Sequence, residues 1–352
     1  MWSWETPPSF VRASTTMPEW HQAPLVLDRG YKGSAVRAWD WSNCGSRHDQ
    51  PAGSVAIMTD APATAGTYDL AGFQVNRIGF GAMQLPGPGV MGPPKDHDAA
   101  IAVLRRAVEL GVNHIDTAQF YGPDVSNALI REALHPYPED LAIVSKVGAR
   151  RDKKGSWLPA LTPEQLREDV EANLRELGTD RLAAVNLRLQ EHPVPGQAPY
   201  EDLLAAMVAM REEGLIAGVG ISTATLAQVE QAIEQAGVVT VQNAYSLLAR
   251  ADEDVLRLCS DHGISYVPYF PLGSAFPGMP KVVDDPVVQA VAQQTDATPA
   301  QVGLAWLLAH DDSTLLIPGT SSVAHLEQNM AVAAVQLTDS QLAQLDAVAP
   351  PR

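Results

Sequence analysis

Two residues in the run Asn113-His114-Ile115-Asp116-Thr117-Ala118-Gln119-Phe120-Tyr121-Gly122 could do chemistry together: the Asp116 carboxylate and, five residues later, the Tyr121 phenol. The stretch before it, Ala107-Val108-Glu109-Leu110-Gly111-Val112, reads as a helix end, a glycine stop and entry into a short apolar strand. Asp116 then falls where a strand gives way to a loop. A phenol with a pKa of about 10 is a weak proton donor near neutrality, but a neighbouring ammonium favours phenolate and draws that value toward the working range. Lys146 is the candidate ammonium. The alternation Ala142, Val144, Lys146 puts its side chain on the same face as two small apolar residues, so it points inward, and Asp116 would hold it charged. A carbonyl oxygen beside Tyr121 could take its proton while a hydride reaches the carbon. No side chain supplies a hydride, so a cofactor must, and no metal is required.

The elements that must position these groups follow from periodicity. Short apolar strands are expected at residues 77–83, 112–116, 141–146, 182–189, 216–221, 238–242, 264–269 and 315–317. Amphipathic helices lie between them, for example at 98–110, 163–177, 200–212 and 224–235, and Thr162-Pro163 and Thr298-Pro299 supply cap-and-proline starts. Residues 68–75, with Gly72 in the middle, read as a hairpin before the first strand. Eight strands each followed by a helix is the count of a closed α/β barrel, the (β/α)8 or TIM barrel, with the hairpin at its bottom and its chemistry at the C-terminal strand ends. Asp116, Lys146, Arg188, Ser222, Gln242 and Tyr269 occupy those ends. In the fourth strand Asn186 and Arg188 share the polar face, which must be the inner one if helices cover the outside.

The chain has 352 residues and a net charge of −17, a balance that argues against nucleic acid or an anionic membrane as partner. Two cysteines, Cys44 and Cys259, suit a reducing cytoplasm rather than a disulfide framework, and no apolar run approaches a membrane span. Residues 1–57 differ in kind: they hold five of the seven tryptophans among Pro, Gly, Ser and Arg without helical or strand periodicity. They are expected to be a disordered extension, from a translation start that properly belongs at Met58 or as a binding tail, and residues 58–352 to be the barrel.

From about Tyr68 onward the chain resembles the aldo-keto reductase family. Asp116-Thr117-Ala118-Gln119-Phe120-Tyr121 is similar to the family's Asp-Thr-Ala-x-x-Tyr signature and Ile143-Val144-Ser145-Lys146 to its strand-three lysine. Gly220-Ile221-Ser222, Val241-Gln242-Asn243, Tyr269-Phe270-Pro271-Leu272-Gly273-Ser274 and Ile317-Pro318-Gly319-Thr320-Ser321-Ser322 resemble its cofactor-binding segments in order. The resemblance implies a barrel that binds NADP(H) and reduces a small aldehyde or ketone, with Tyr121 as general acid assisted by Asp116 and Lys146. It places Ser222, Thr223 and Gln242 at the nicotinamide amide, Thr223 standing where the family has Asn. It places Tyr269 under the ring, Leu272, Gly273 and Ser274 along the pyrophosphate, and Thr320, Ser321, Ser322, His325, Gln328 and Asn329 at the adenosine end. Gly81 and Met83, ending the first strand, complete the expected cofactor contacts.

One departure concerns the family's strand-four histidine, whose place falls on Arg188. Arginine can polarise a carbonyl but cannot share proton transfer near neutrality. His192, four residues on, is the alternative occupant. The same departure motivates a second reading, a regulatory barrel that senses nicotinamide redox state with weak or no turnover. The loops after strands one, four and seven set no recognisable specificity, though Met83, Trp157 and Phe276 suggest an apolar wall, and oligomeric state is open.

Overall fold

The structure is a computed structural model that describes residues 65–190, 192, 194–273 and 280–349. The expected extension, the Met58 start and Ser274 lie outside these residues. A hairpin comes first: β1 (Thr67–Leu70) pairs antiparallel with β2 (Phe73–Asn76) across Ala71 and Gly72, both at positive φ. Then follow β3 (Phe80–Gly81), α1 (His97–Glu109), β4 (His114–Asp116), α2 (Val125–Leu134) and β5 (Ala142–Val147). A second antiparallel hairpin, β6 (Ala149–Arg151) and β7 (Trp157–Pro159), precedes α3 (Pro163–Leu177) and β8 (Leu182–Arg188). The remainder is α4 (Tyr200–Glu212), β9 (Ile216–Ser222), α5 (Leu226–Ala236), β10 (Thr240–Gln242), α6 (Glu253–Asp261), β11 (Ser265–Tyr266), α7 (Pro286–Thr295), α8 (Pro299–His310), α9 (Val323–Met330) and α10 (Asp339–Asp346).

Seven parallel strands form one curled sheet in the order β3, β4, β5, β8, β9, β10, β11. The strand expected at 315–317 appears as two bridges rather than a ladder, Tyr266 with Thr314 and Ile78 with Leu316. Leu315 N donates to Tyr266 O at 2.9 Å, Leu316 N to Arg77 O at 2.8 Å and Gly79 N to Leu316 O at 2.8 Å. One short segment therefore touches both edges of the sheet. The segment is brief because Pro318, which has no N–H, and Gly319 follow at once.

The alternation read from the sequence sorts the faces as expected. Val185, Leu187 and Leu189 pack outward with the helices, while Ala142, Val144 and Ala184 share an inner cluster with Leu70, Val75, Val267 and Leu315. The first hairpin thus seats its apolar face on the inner side of the sheet. Burying Leu70 and Val75 there contributes about 1.5–3 kcal/mol each. The expected caps form: Thr162 Oγ1 accepts from Gln165 N at 3.3 Å and Thr298 Oγ1 from Gln301 N at 3.2 Å.

Candidate active site

β4 and β5 pair with Asp116 opposite Val144, so Lys146 lies one inward position further along the neighbouring strand. Its Nζ donates to Asp116 Oδ1 and, at 3.0 Å, to Thr117 O. Gln242, from β10, donates through Nε2 to Asp116 Oδ2 at 3.0 Å. Asp116 and Lys146 are 3% and 5% exposed, so this pair is held together out of water. Burial acts to lower the Lys146 pKa, but the charge of Asp116 and the nearby Tyr121 outweigh it and the net direction is upward. Lys146 is an ammonium at neutral pH.

Tyr121 sits in the loop after β4, 6% exposed, with Lys146 Nζ 5.0 Å from its ring centroid. The sequence led us to expect a phenol pKa drawn down by that ammonium. Burial dominates instead and raises it, with Lys146 and Arg188 pulling the other way. Tyr121 is therefore a neutral proton donor across the physiological range.

A cavity of about 540 Å³ opens over this group, lined by Tyr121 and Lys146 together with Met83, Ser222, Thr223, Gln242 and Tyr269. Arg188, at the end of β8, and the exposed loop residue His192 both line it, so the structure brings both candidates for the fourth position to the site. Thr223 has φ 60° and donates its N–H to Gln242 O at 3.1 Å, which joins the ends of β9 and β10 beneath the cavity wall. A second cavity of about 500 Å³ shares Met83 and Phe270 with the first and extends to Gly273 and Ser321. Of the expected cofactor residues, Met83, Ser222, Thr223, Gln242, Tyr269, Gly273 and Ser321 line these two adjoining cavities.

Others stand outside them. Leu272 packs against the core beside Gly303. Gly81 does not line either cavity: a Cβ there would lie 2.5 Å from Ile317 O, so glycine is needed for backbone contact with the 314–319 segment. Thr320 is buried and accepts from Ser322 N at 3.1 Å, and Ser322 caps α9 by accepting from His325 N. His325, Gln328 and Asn329 lie on α9, away from both cavities, with His325 and Gln328 exposed. Asn186, expected on the inner polar face of its strand, lines neither cavity: it is buried opposite Lys146, and its amide has no partner among the described residues.

Sequence reading named Met83 and Trp157 as an apolar wall, and both line the cavity, but it missed the β6–β7 hairpin that carries Trp157. The charged run Arg150-Arg151-Asp152-Lys153-Lys154 masked a turn in which the Asp152 carboxylate accepts from Lys154 N and Ser156 N, both at 2.8 Å. Trp157 stands edge-on to Phe120 at 5.3 Å, and Phe120 edge-on to Tyr121 at 5.4 Å. The Asp116–Gln242 bond was also missed, because 126 residues separate its ends, although strand-end position flagged both. Among the described residues no group of three or more His, Cys, Asp or Glu side chains could hold a metal, and no helix is long and apolar enough to cross a membrane.

Comparison with known proteins agrees with this geometry. Residues 77–350 match the model of the aldo/keto reductase family. The chain is 48% identical over 287 residues to pyridoxine 4-dehydrogenase of Escherichia coli, covering 81% of this chain and 99% of that protein. It is 40% identical over 282 residues to an uncharacterized oxidoreductase of Schizosaccharomyces pombe, covering 80% and 89%. The structure resembles that of an aldo-keto reductase from Klebsiella pneumoniae in complex with NADPH, with TM-score 0.67 and 26% identity over 82% of this chain and 96% of that one. A buried Asp-Lys pair beside a strand-end tyrosine, on a sheet with these relatives, makes this chain a member of the aldo/keto reductase family.

Proposed function

We propose that this protein interconverts an aldehyde or ketone and its alcohol using NADP(H), with Tyr121 exchanging the proton. The observation that carries the reading is the convergence of Asp116, Lys146 and Tyr121, the last two lining one cavity. In this reading the bridges of Thr314 and Leu316 make residues 314–316 the eighth strand of a closed barrel.

The residues present fit the dinucleotide. Gln242 commits Nε2 to Asp116, which leaves its Oε1 as an acceptor for an amide, and Ser222 and Thr223 add hydroxyls on the same wall. Tyr269 offers an aromatic face. Ser321 lines the second cavity, as does a Gly273 whose added Cβ would meet Pro280 O at 2.2 Å. The bound cofactor supplies or receives the hydride. Tyr121 donates its proton to the carbonyl oxygen as negative charge grows there, and Lys146 stabilises the phenolate left behind. Arg188 polarises the same oxygen through its N–H donors. In the direction of oxidation each step reverses.

The pyridoxine 4-dehydrogenase activity named for the E. coli relative supports a pyridoxine-type alcohol and its aldehyde as the substrate class. A purely sensing barrel is less well supported, since Asp116, Lys146 and Tyr121 are all in place. A small molecule rather than nucleic acid as partner fits the −17 charge, and a cytoplasmic site fits the cysteine usage. The test is NADPH oxidation with a panel of carbonyls. Tyr121→Phe should lower kcat/KM by about 10²–10⁴-fold while NADPH affinity, read by fluorescence, stays within about threefold. Undiminished activity in that variant would remove Tyr121 from its role.

A further inference from the structure

Arg188 is the unusual charge of this cavity. It lies at the C-terminal end of β8, half-buried, and among the described residues its guanidinium has no ion-pair or hydrogen-bond partner. Asp116 is already occupied by Lys146 and Gln242, and the described residues that line the cavity include no carboxylate. Within a chain of net charge −17, the described residues of the site thus leave the Arg188 charge without a counter-charge at the cavity wall. Among the described residues the contact that orients Arg188 is aromatic: its guanidinium carbon lies 5.5 Å from the centroid of Trp157 on the β6–β7 hairpin. Trp157 is held in turn by Arg151, at 4.2 Å, and by its edge contact with Phe120. A guanidinium resting on a ring face keeps its N–H edge open, and that edge is a planar fork suited to two oxygens side by side.

We infer that Arg188 is a specificity-determining residue that selects aromatic aldehydes bearing an ionised oxygen on the ring carbon adjacent to the one carrying the aldehyde, gripping that oxygen and the carbonyl oxygen with one fork. This rests on the reading that Tyr121 protonates the carbonyl. Three features combine to define the class. The fork requires two neighbouring oxygens, the unpaired charge favours an anion, and Phe120, Trp157, Tyr269 and Phe270 make a wall for a flat ring. An aliphatic 2-oxo acid would satisfy the first two and leave the aromatic wall unused.

The experiment measures kcat/KM for 2-hydroxybenzaldehyde, 2-methoxybenzaldehyde, 4-hydroxybenzaldehyde and benzaldehyde, at a pH where the phenols are ionised, in wild type, Arg188→Met, Arg188→Lys and Trp157→Leu. In wild type the 2-hydroxy compound should exceed its 2-methoxy partner by at least about tenfold, and the 4-hydroxy compound should gain nothing over benzaldehyde. Arg188→Met should bring the 2-hydroxy to 2-methoxy ratio near one. Arg188→Lys, with the charge but no fork, should keep only part of it, and Trp157→Leu should reduce it chiefly through KM. A wild-type ratio near one, or an unchanged ratio in Arg188→Met, overturns the proposal while leaving carbonyl reduction intact. If Arg188→Met turns over nothing, the wild-type ratio and its response to Trp157→Leu decide, and an unaltered ratio in Trp157→Leu then counts against it. Absence of turnover of all four aldehydes by wild type that binds NADPH overturns the function itself, and this proposal with it.

Discussion

Lys146 does two jobs that can be separated by substitution. As the counter-charge to a buried carboxylate it is structural: Lys146→Met leaves Asp116 with Gln242 alone and should destabilise the fold by about 3–5 kcal/mol. As the cation beside Tyr121 it lowers a phenol pKa that burial raises. Removing it therefore sends that pKa higher still. Oxidation of an alcohol needs the phenolate and should slow in the variant at any fixed pH, whereas the alkaline fall of carbonyl reduction should move to higher pH. The double variant Asp116→Asn/Lys146→Met should recover part of the lost stability in urea melts and none of the activity. Recovery of both would mean that the pair only supports the fold. Asp116, Lys146 and Tyr121 were legible in the sequence because strand alternation and strand-end position are local properties. Trp157 was legible as an apolar wall residue, but its place beside Phe120 was not, since that depends on a hairpin whose turn is written in charged residues.

At the scale of elements, strand and helix positions were largely readable and the contacts between them were not. α3 was readable over 163–177 from its cap and its apolar spacing, yet the polar network behind it draws on four separate segments. Thr117 Oγ1 donates to Asn127 Oδ1 at 2.9 Å, Asn127 Nδ2 to Glu176 Oε2 at 3.1 Å, and Ser145 Oγ to Asn173 Oδ1 at 2.6 Å. The same Thr117 presents its carbonyl to Lys146, so this network braces the strand ends that carry Asp116 and Lys146. Burial, and then the charge of Asp124, push the Glu176 pKa up to about 7. A carboxyl raised in the folded state binds more protons than in the unfolded one, so stability falls as pH climbs from about 4.5 through 7. Glu176→Gln imitates the protonated form and still accepts from Asn127. Its melting temperature should match wild type near pH 5 and exceed it near pH 8, and a gain of equal size at both would show that titration is not involved.

Across the whole molecule, the described fold is joined where the first hairpin, the β3 edge and the 314–316 segment meet, and His114 lies at that junction. Its ring packs on Gly79 so tightly that a Cβ there would fall 2.2 Å from Cε1. Nδ1 lies 3.3 Å from Asn76 O at the end of β2, and because a carbonyl only accepts, Nδ1 carries the proton; Nε2 is buried with no partner among the described residues. Charging this ring would force a second N–H into a place with no acceptor, and burial lowers its pKa to about 4 despite the pull of Asp116. Here the sign is opposite to that of Glu176. A histidine depressed in the folded state supports stability above its unfolded pKa near 6.5, and that support is lost as pH falls toward 4. It amounts to at most about 3 kcal/mol, removed at up to about 1.4 kcal/mol per pH unit. His114→Gln should be less stable than wild type at neutral pH, through lost packing on Gly79, yet its urea-derived stability should decline less steeply between pH 6.5 and 4. Parallel slopes for the two proteins would place the acid sensitivity elsewhere in the fold.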